Sequence, residues 1–524
     1  MNKIFINSRI FSIFTIFLFS FFFNYYYANL GVSPMDTFAF FDTAYNITIG
    51  RHPFKDIWVT TGPVVDYIQA IFFQIFGLNW LSYIIHGSLI NSVVTIFFYK
   101  ILLDQKLEKK FSFCYAIFFG LLCYTVSGTP FAYIHSYAFS IISILIFIKY
   151  IQSDSKIYLS ILPPVMVLAF LSMQNPSTFI NLIIISILIT IFLKKRQKEN
   201  VKIFILSSFA TSIFLIIFFL INEIPLKNFF QQYFLFPLSM GEGRILGNEL
   251  AHFSLSDRFT IRNIIGHFKF INFFILILTF FTIKDLMNKK ISLEFLFINV
   301  LLILCGIFLI FNQLLTSNQT YIFSLIPFLA AFTHLYLIKR NNFNKKIILV
   351  LFAVVCFCAA KYHLTYNEAR KFMDLQNVNL KNSVEASNID YKLKGLKWIS
   401  PNFSDNAEEE VKLLKEVVNH LKKEKKNKML ISHYQFFSVL TEENLNTLNR
   451  WYTHDNNSYP LSNHKYFELY KSHINNSFSS NKIEVVFTTG NLKLENFDIF
   501  LEETCYNKTK INKILFKYEI KKCT

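Results

Sequence analysis

The chain is short of charge. Only 16% of its 524 residues are Asp, Glu, Lys or Arg, and the acidic ones are the fewer, 34 against 52, for a formal net charge of +18. With 53% hydrophobic residues, that scarcity excludes a soluble globular protein of this length and leaves a polytopic membrane protein. Nucleic acid is a poor partner for the positive excess, because the Lys and Arg residues cluster in short loops between apolar runs, where they set membrane orientation. Cysteine is sparse too: seven residues, with no CxxC and no Cys/His metal spacing. Cys356 and Cys358 lie in an apolar run, whereas Cys505 and Cys523 fall in the polar tail, where a disulfide is compatible with a non-cytoplasmic side. Internal repeats and long low-complexity linkers are lacking. So is a small-residue cleavage site after the first apolar run, Ile10 to Tyr27, which therefore reads as an uncleaved helix preceded by Lys3 and Arg9. The 64 Phe residues, with many Ile, Asn and Lys, reflect AT-rich codon usage and carry no functional weight.

What is there in abundance is long apolar runs. Crossing a bilayer core takes about 20 such residues. Eleven segments are candidates: 10–28, 79–103, 111–129, 131–151, 157–173, 177–193, 201–221, 267–284, 291–311, 320–338 and 345–361. Val64–Phe76 is left out, since as a helix it reaches roughly 20 Å against a core of about 30 Å. Its Asp66, Gln69 and Gln74 fall within one arc, which predicts a helix lying in the membrane surface. With it excluded, the basic loops share one side: Lys106, Lys109 and Lys110; Lys194, Lys195, Arg196 and Lys198; Lys284, Lys289 and Lys290; Lys339, Arg340, Lys345 and Lys346. The opposite turns, SGTP, MQNPST and NQLLTSNQT, carry no Lys or Arg. The N-terminus is then cytoplasmic and the tail from about Tyr362 outside.

The expected fold is an all-α polytopic membrane protein of about eleven transmembrane helices with a small C-terminal α/β domain. Residues 1–361 form the membrane core, with a first outer loop at 29–78 and a second at 222–266, and residues 362–524 form the outer domain. In the tail, Ala407 to Lys423 has helical periodicity, and KMLISHYQFFSVL, KIEVVFTTG and LFKYEI read as strands. His433, Arg450 and Trp451 there read as structural.

The spans are nearly free of mid-membrane charge. Glu223 and Glu294 lie at span ends, and His86 is the main exception. An ion-coupled transporter needs ionisable residues near the midplane, often in an inverted repeat, and this chain has neither. Its conspicuous polar residues, Asp36, Asp56, His86, His135, Gln174, Asn175 and Arg244, lie at the outer helix ends, as suits an enzyme working at the outer surface.

The first outer loop, PMDTFAFFDTAYNITIGRHPFKDIWVTTGPV, gathers Asp36, Asp42, Arg51, His52, Lys55 and Asp56. Asp36 stands where a helix N-cap would stand. Asp42 lies about 120° round that helix, so the two should not share a face. Asp56, beyond the helix, is free to fold back, which makes Asp36 and Asp56 the expected pair.

These residues resemble a family. An Asp at a helix start, Ala44 and Gly50 eight and fourteen residues on, then HPFKD, a GP step and IFFQIFG, is similar to the first periplasmic loop of polyprenyl-phosphate-sugar-dependent glycosyltransferases of the GT-C fold. These are the membrane families related to protein mannosyltransferases and lipid A aminoarabinose transferase. The MQNPST turn with Gln174 and Asn175 also resembles a turn in some bacterial members. Many members have Asp-Glu where this chain has Asp36-Thr37, so any role needing that second carboxylate is open. The resemblance implies a bacterial inner-membrane glycosyltransferase, N-terminus cytoplasmic and C-terminus periplasmic, passing a sugar from a polyprenyl phosphate to a lipid, glycan or protein acceptor, with inversion.

Asp36 would then take the acceptor proton. The leaving phosphate needs positive charge, from Arg244, Arg258, Arg262 or Lys55, or from a divalent metal ion held by Asp36 and Asp56. His86, His135, Gln174 and Asn175 are further candidates for substrate binding. Two rival readings stay open: a flippase or transporter of lipid-linked sugar, and an O-antigen ligase or polymerase type of transferase.

Overall fold

The computed structural model describes residues 2–247, 253–316, 322–340, 345–490, 492 and 505–521. Helix α1 (Asn2–Ala28) leads into the first loop, which holds two short helices, α2 (Phe41–Thr48) and α3 (Val64–Phe76). A bundle follows: α4 (Trp80–Asp104), α5 (Lys109–Leu122), α6 (Ala132–Ser153), α7 (Lys156–Ser172), α8 (Gln174–Lys195) and α9 (Lys198–Ile221). The second loop carries α10 (Leu226–Phe230), α11 (Phe236–Leu246) and α12 (Leu255–Arg258), and α13 (Lys269–Met287), α14 (Leu293–Leu315), α15 (Leu325–Lys339) and α16 (Lys345–Tyr362) complete the bundle.

Each of the eleven expected spans contains a helix, but the count by length is lower. Among the described residues eight helices are long and apolar enough to cross a membrane, and α7 and α15 are shorter apolar helices. Helix α5 is shorter still, 14 residues, and stops at Leu122 because the next residues are pulled into a turn. Asn91 accepts the Tyr124 N–H (3.3 Å), and Asn24 donates to the Gly128 carbonyl (2.9 Å). Neutral groups of this kind join the spans elsewhere: Ser20 donates to Ser92 (3.1 Å), and Asn91 to the carbonyls of Ser20 and Gly120 (both 3.0 Å). Short polar side chains tie helices together in lipid without the cost of a charge. Large apolar side chains of α9, among them Phe209, Phe214, Leu220 and Ile221, stay exposed, as a lipid-facing helix requires.

Helix α3 differs from expectation in one respect. Its polar arc divides: Asp66 and Gln69 are fully buried against protein, while Gln74 is exposed beside Ile71, Ile75 and Phe76. Burial is possible because both polar groups find partners, Arg450 and Thr43 for Asp66 and His86 for Gln69.

The tail begins with short turns and a two-stranded ribbon, β1 (Val384–Glu385) with β2 (Lys397–Trp398). Then come α17 (Ala407–Lys423), β3 (Lys428–Ile431), α18 (Phe437–Thr441), α19 (Phe467–Ser480), β4 (Val485–Thr489), β5 (Tyr506–Lys510) and β6 (Leu515–Ile520). Strands order β3-β4-β6-β5, with β3 and β4 parallel and the other pairs antiparallel. Helix α17 matches its periodicity and is capped by Asn406, which accepts the Glu409 N–H (3.1 Å). KMLISHYQFFSVL is strand only to Ile431, since Ser432 then accepts the Tyr434 N–H (2.9 Å) and Gln435 donates to the Ser432 carbonyl (2.6 Å), closing a turn. Strand β5 was not apparent from the sequence. Cys505 is disulfide-bonded, and Cys523 lies outside the described residues.

The first loop and the tail share a core. Phe38 packs against Trp80, Trp398 and Phe436, with ring centroids 5.5, 5.9 and 4.7 Å away. Beside it, Gly62 of the GP step lies so close to the end of α7 that a Cβ would stand 1.7 Å from the Leu171 carbonyl oxygen. The loop thus rests on the helix ends beneath it and carries the tail above.

Candidate active site at the first loop

Asp36 lies in a run of turns before α2, not at a helix start. The N–H groups of Asp36 and Thr37 both bond the Ser33 carbonyl (3.2 and 2.9 Å), and α2 begins only at Phe41, with Phe40 in the cap position. The N-cap expectation is therefore replaced: the Thr37 hydroxyl accepts the Ser33 N–H (2.8 Å) and holds the turn. Thr37 is fully buried and also touches Met373 Sδ (3.2 Å), so a Glu there would bury a charge with no partner. A second carboxylate is nevertheless close. Asp374, next to Met373, adds its like charge to the effect of burial, and together they push the Asp36 carboxyl up to about 6.

Asp56 does not join Asp36. The HPFKD segment closes on itself: Asp56 Oδ2 accepts the His52 N–H (2.8 Å), and Pro53 bridges Ile57. Its ionisable neighbours are Arg51 and His52, and with Arg51, Lys55, Trp58 and His473 it lines a separate cavity of ≈ 270 Å³. Lys55 is paired with Glu223 (2.9 Å) on the surface. Asp42 points elsewhere again, as helix geometry requires: it accepts the N–H groups of Ser438 and Val439 (both 3.2 Å) and docks α18 of the tail onto α2.

His86 and His135 are fully buried. Their Nε2 atoms lie 2.9 Å apart in a chain running from Gln69 through both rings to the Tyr124 hydroxyl (3.0 and 2.7 Å at the outer steps). Interhelical bonding thus uses these groups, and neither His lines a cavity described here.

Three other expected residues do meet. Gln174, Asn175 and Arg244 line one cavity of ≈ 190 Å³ together with Thr60, Thr61, Met240, Thr316 and Asn457. It lies where α7 passes into α8 and α14 ends, under the second loop and the tail. Gln174 uses its amide nitrogen to hold the carbonyls of Thr60 and Tyr233 (both 2.8 Å), fixing the floor. Arg244 donates to the Leu315 carbonyl (3.3 Å) and to Asn457, with Phe253 stacked on its guanidinium (4.9 Å), while its buried Nε has no protein partner. Arg258 and Arg262, in or next to the short α12, are not among its lining residues.

Asp36 is linked to this cavity through the tail. Trp451 Nε1 donates to the carbonyl of Met35 (3.2 Å), and Arg450 bonds Thr61 in the cavity wall. Arg450 is 1% exposed, paired with the fully buried Asp66 and stacked on Phe40 (4.4 Å). It is structural, as the sequence suggested, but its position makes it the joint between loop, α3 and tail.

Asp36 and Asp56 do not form the expected divalent-metal pair. Among the described residues no group of three or more His, Cys, Asp and Glu could hold a metal ion, and Asp56 is turned away from Asp36. Asp374 is the member of the site that sequence reasoning missed; its position in the turn after α16 gave no signal.

A bundle of apolar helices, its outer ends covered by a loop and a tail that share one core, defines a polytopic membrane protein with its candidate site beneath a cap. No protein-family model matches the chain, and no curated protein matches its sequence. Among solved structures, the chain is similar to ArnT from Cupriavidus metallidurans bound to undecaprenyl phosphate, at a TM-score of 0.42 and 11% identity, covering 99% of this chain and 98% of the other. It is similar over the same extent to ArnT from that organism in the apo state, at a TM-score of 0.43 and 10% identity. The likeness is one of chain course alone.

Proposed function

We propose that this chain is a membrane glycosyltransferase that passes a sugar from a polyprenyl-phosphate carrier to a hydroxyl of a lipid, glycan or protein acceptor on the periplasmic face. The observation that carries the reading is the cavity at the ends of α7, α8 and α14, where Arg244, Gln174 and Asn175 converge at the level a lipid headgroup would occupy. The carrier phosphate lies against the Arg244 guanidinium, with the Thr61 hydroxyl in the same cavity wall.

In the reaction the acceptor oxygen attacks the anomeric carbon as the bond from that carbon to the phosphate oxygen breaks. The electron pair leaves on the phosphate, where the guanidinium balances it. The acceptor proton goes to Asp36. A carboxyl held near 6 is mostly ionised at neutral pH yet more basic than an ordinary Asp, which suits a general base. Attack opposite the leaving group inverts the anomeric centre. No step is routed through a metal.

The reading is tested by incubating membranes containing the protein with labelled polyprenyl-phosphate sugars and following label into acceptors. A new covalent product that falls away in Arg244→Ala supports it. Label that changes leaflet without a covalent product means a flippase instead.

A further inference from the structure

A second, larger cavity, of ≈ 600 Å³, lies between the first loop and the tail. It opens at the carboxyl ends of β3 and β4: His433 follows β3 by two residues, and Thr489 and Gly490 end β4. Because these two strands are parallel, both chain ends emerge at one edge of the sheet, the place where α/β sheets hold ligands. Ser33, Pro34 and Met35, directly before Asp36, also line it, as does Asp374.

The chemistry of the lining selects the ligand. His433 lines the cleft, and burial lowers its pKa to about 4, so its ring meets a ligand in the neutral form. Asn402, bonded to Tyr434, and Phe403, with the Lys513 ammonium 5.3 Å over its ring, complete the lining. At Gly490, at φ +67°, no described residue lies within 4 Å of where a Cβ would stand, so a ligand can approach the backbone. Lys513, the cation of the lining, is already paired with Glu409 (2.9 Å), and Asp374 is its carboxylate. With one cation and one carboxylate the lining carries no net charge, which suits a neutral, hydroxyl-rich group over an anion. The cavity at Arg244 has the opposite character. Met35, Trp451, Arg450 and Thr61 form a chain of contacts between the two, with Asp36 beside its Met35 end.

We propose that this cleft is the acceptor site and that it binds a neutral glycan. On the glycosyltransferase reading, on which this assignment rests, carrier and acceptor approach Asp36 from separate cavities, and the acceptor hydroxyl arrives from the side of the tail.

The test places single cysteines in the full-length protein in nanodiscs, as Asn402→Cys and His433→Cys, with Thr316→Cys reporting on the other cavity. Labelling by an impermeant maleimide is timed with maltotriose, chitotriose, inorganic phosphate or undecaprenyl phosphate present. A neutral trisaccharide at ten times its Kd should slow labelling at 402 and 433 about tenfold and leave 316 unchanged, because only the unoccupied fraction reacts. Undecaprenyl phosphate should do the reverse. Protection of 402 and 433 by phosphate or by undecaprenyl phosphate, or by none of these probes, would overturn the proposal. The two readings fail separately. Saccharide protection without consumption of labelled carrier sugar leaves the cleft and removes the transferase, whereas consumption without protection does the opposite.

Discussion

At the scale of single residues, Asp36 depends on what packs around it. Thr37 is buried and its hydroxyl closes the turn that presents Asp36. A second negative charge comes from Asp374, a residue far along the chain. The consequence for pH follows from its sign. A base must lose its proton to act, so kcat/KM should rise with pH through about 6, where burial and Asp374 hold Asp36. Removing a like charge makes ionisation easier. Asp374→Asn should therefore move the acid limb to lower pH, though by less than burial has raised it, since burial is the larger cause. A pH–rate profile checks this, and a limb that stays in place or moves upward would disprove the pairing.

At the scale of elements, the first loop, α3 and the tail are locked by one buried pair. Arg450 and Asp66 are 1% and 0% exposed, and Arg450 also bonds Thr61 and covers Phe40. A buried pair of this kind need not add stability over apolar residues of similar size, but removing one member strands the other charge. Asp66→Ala and Arg450→Ala should each cost about 3–5 kcal/mol, and the double change Asp66→Leu with Arg450→Met clearly less than either. Thermal unfolding of the purified protein measures this; additive losses in the double variant would show that the two act independently. The same elements show where sequence reading stops. Asp66 and Gln69 of α3 look from the sequence like a water-facing arc, because a helical wheel shows which residues share a face and not what covers it. Tertiary docking of the tail and of His86 decided that.

At the scale of the whole molecule, the helices were legible because residence in lipid is a matter of composition and run length, which the sequence states directly. The outer parts were legible only in pieces. Helix α17 and strands β4 and β6 follow from local pattern, whereas β5 and the turn after Ile431 depend on side-chain bonds and pairing that local pattern does not carry. At the site, Arg244, Gln174 and Asn175 could be chosen because polar groups at helix ends stand out against an apolar chain. Asp36 with Asp374 could not, because that proximity exists only once the tail has folded onto the loop; for the same reason Asp56 was mistaken for the partner.

The basic loops predict the orientation. Arg9, Asp104 and Lys149 form a cluster at the helix ends remote from the first loop (3.4 and 2.9 Å). Thr60→Cys, in the wall of the Arg244 cavity, should accordingly react with an impermeant thiol reagent added to spheroplasts. Reaction only after permeabilisation would reverse the sides and remove a periplasmic site.

The central claim is that Asp36 takes the proton as a sugar leaves a polyprenyl phosphate. Its most direct measurement is single-turnover transfer of labelled sugar to acceptors by the wild type and by Asp36→Asn, with carrier binding followed in parallel. A loss of roughly 10²- to 10⁴-fold in transfer, with carrier binding retained, is expected of Asp36→Asn. Transfer at the wild-type rate by Asp36→Asn would contradict it.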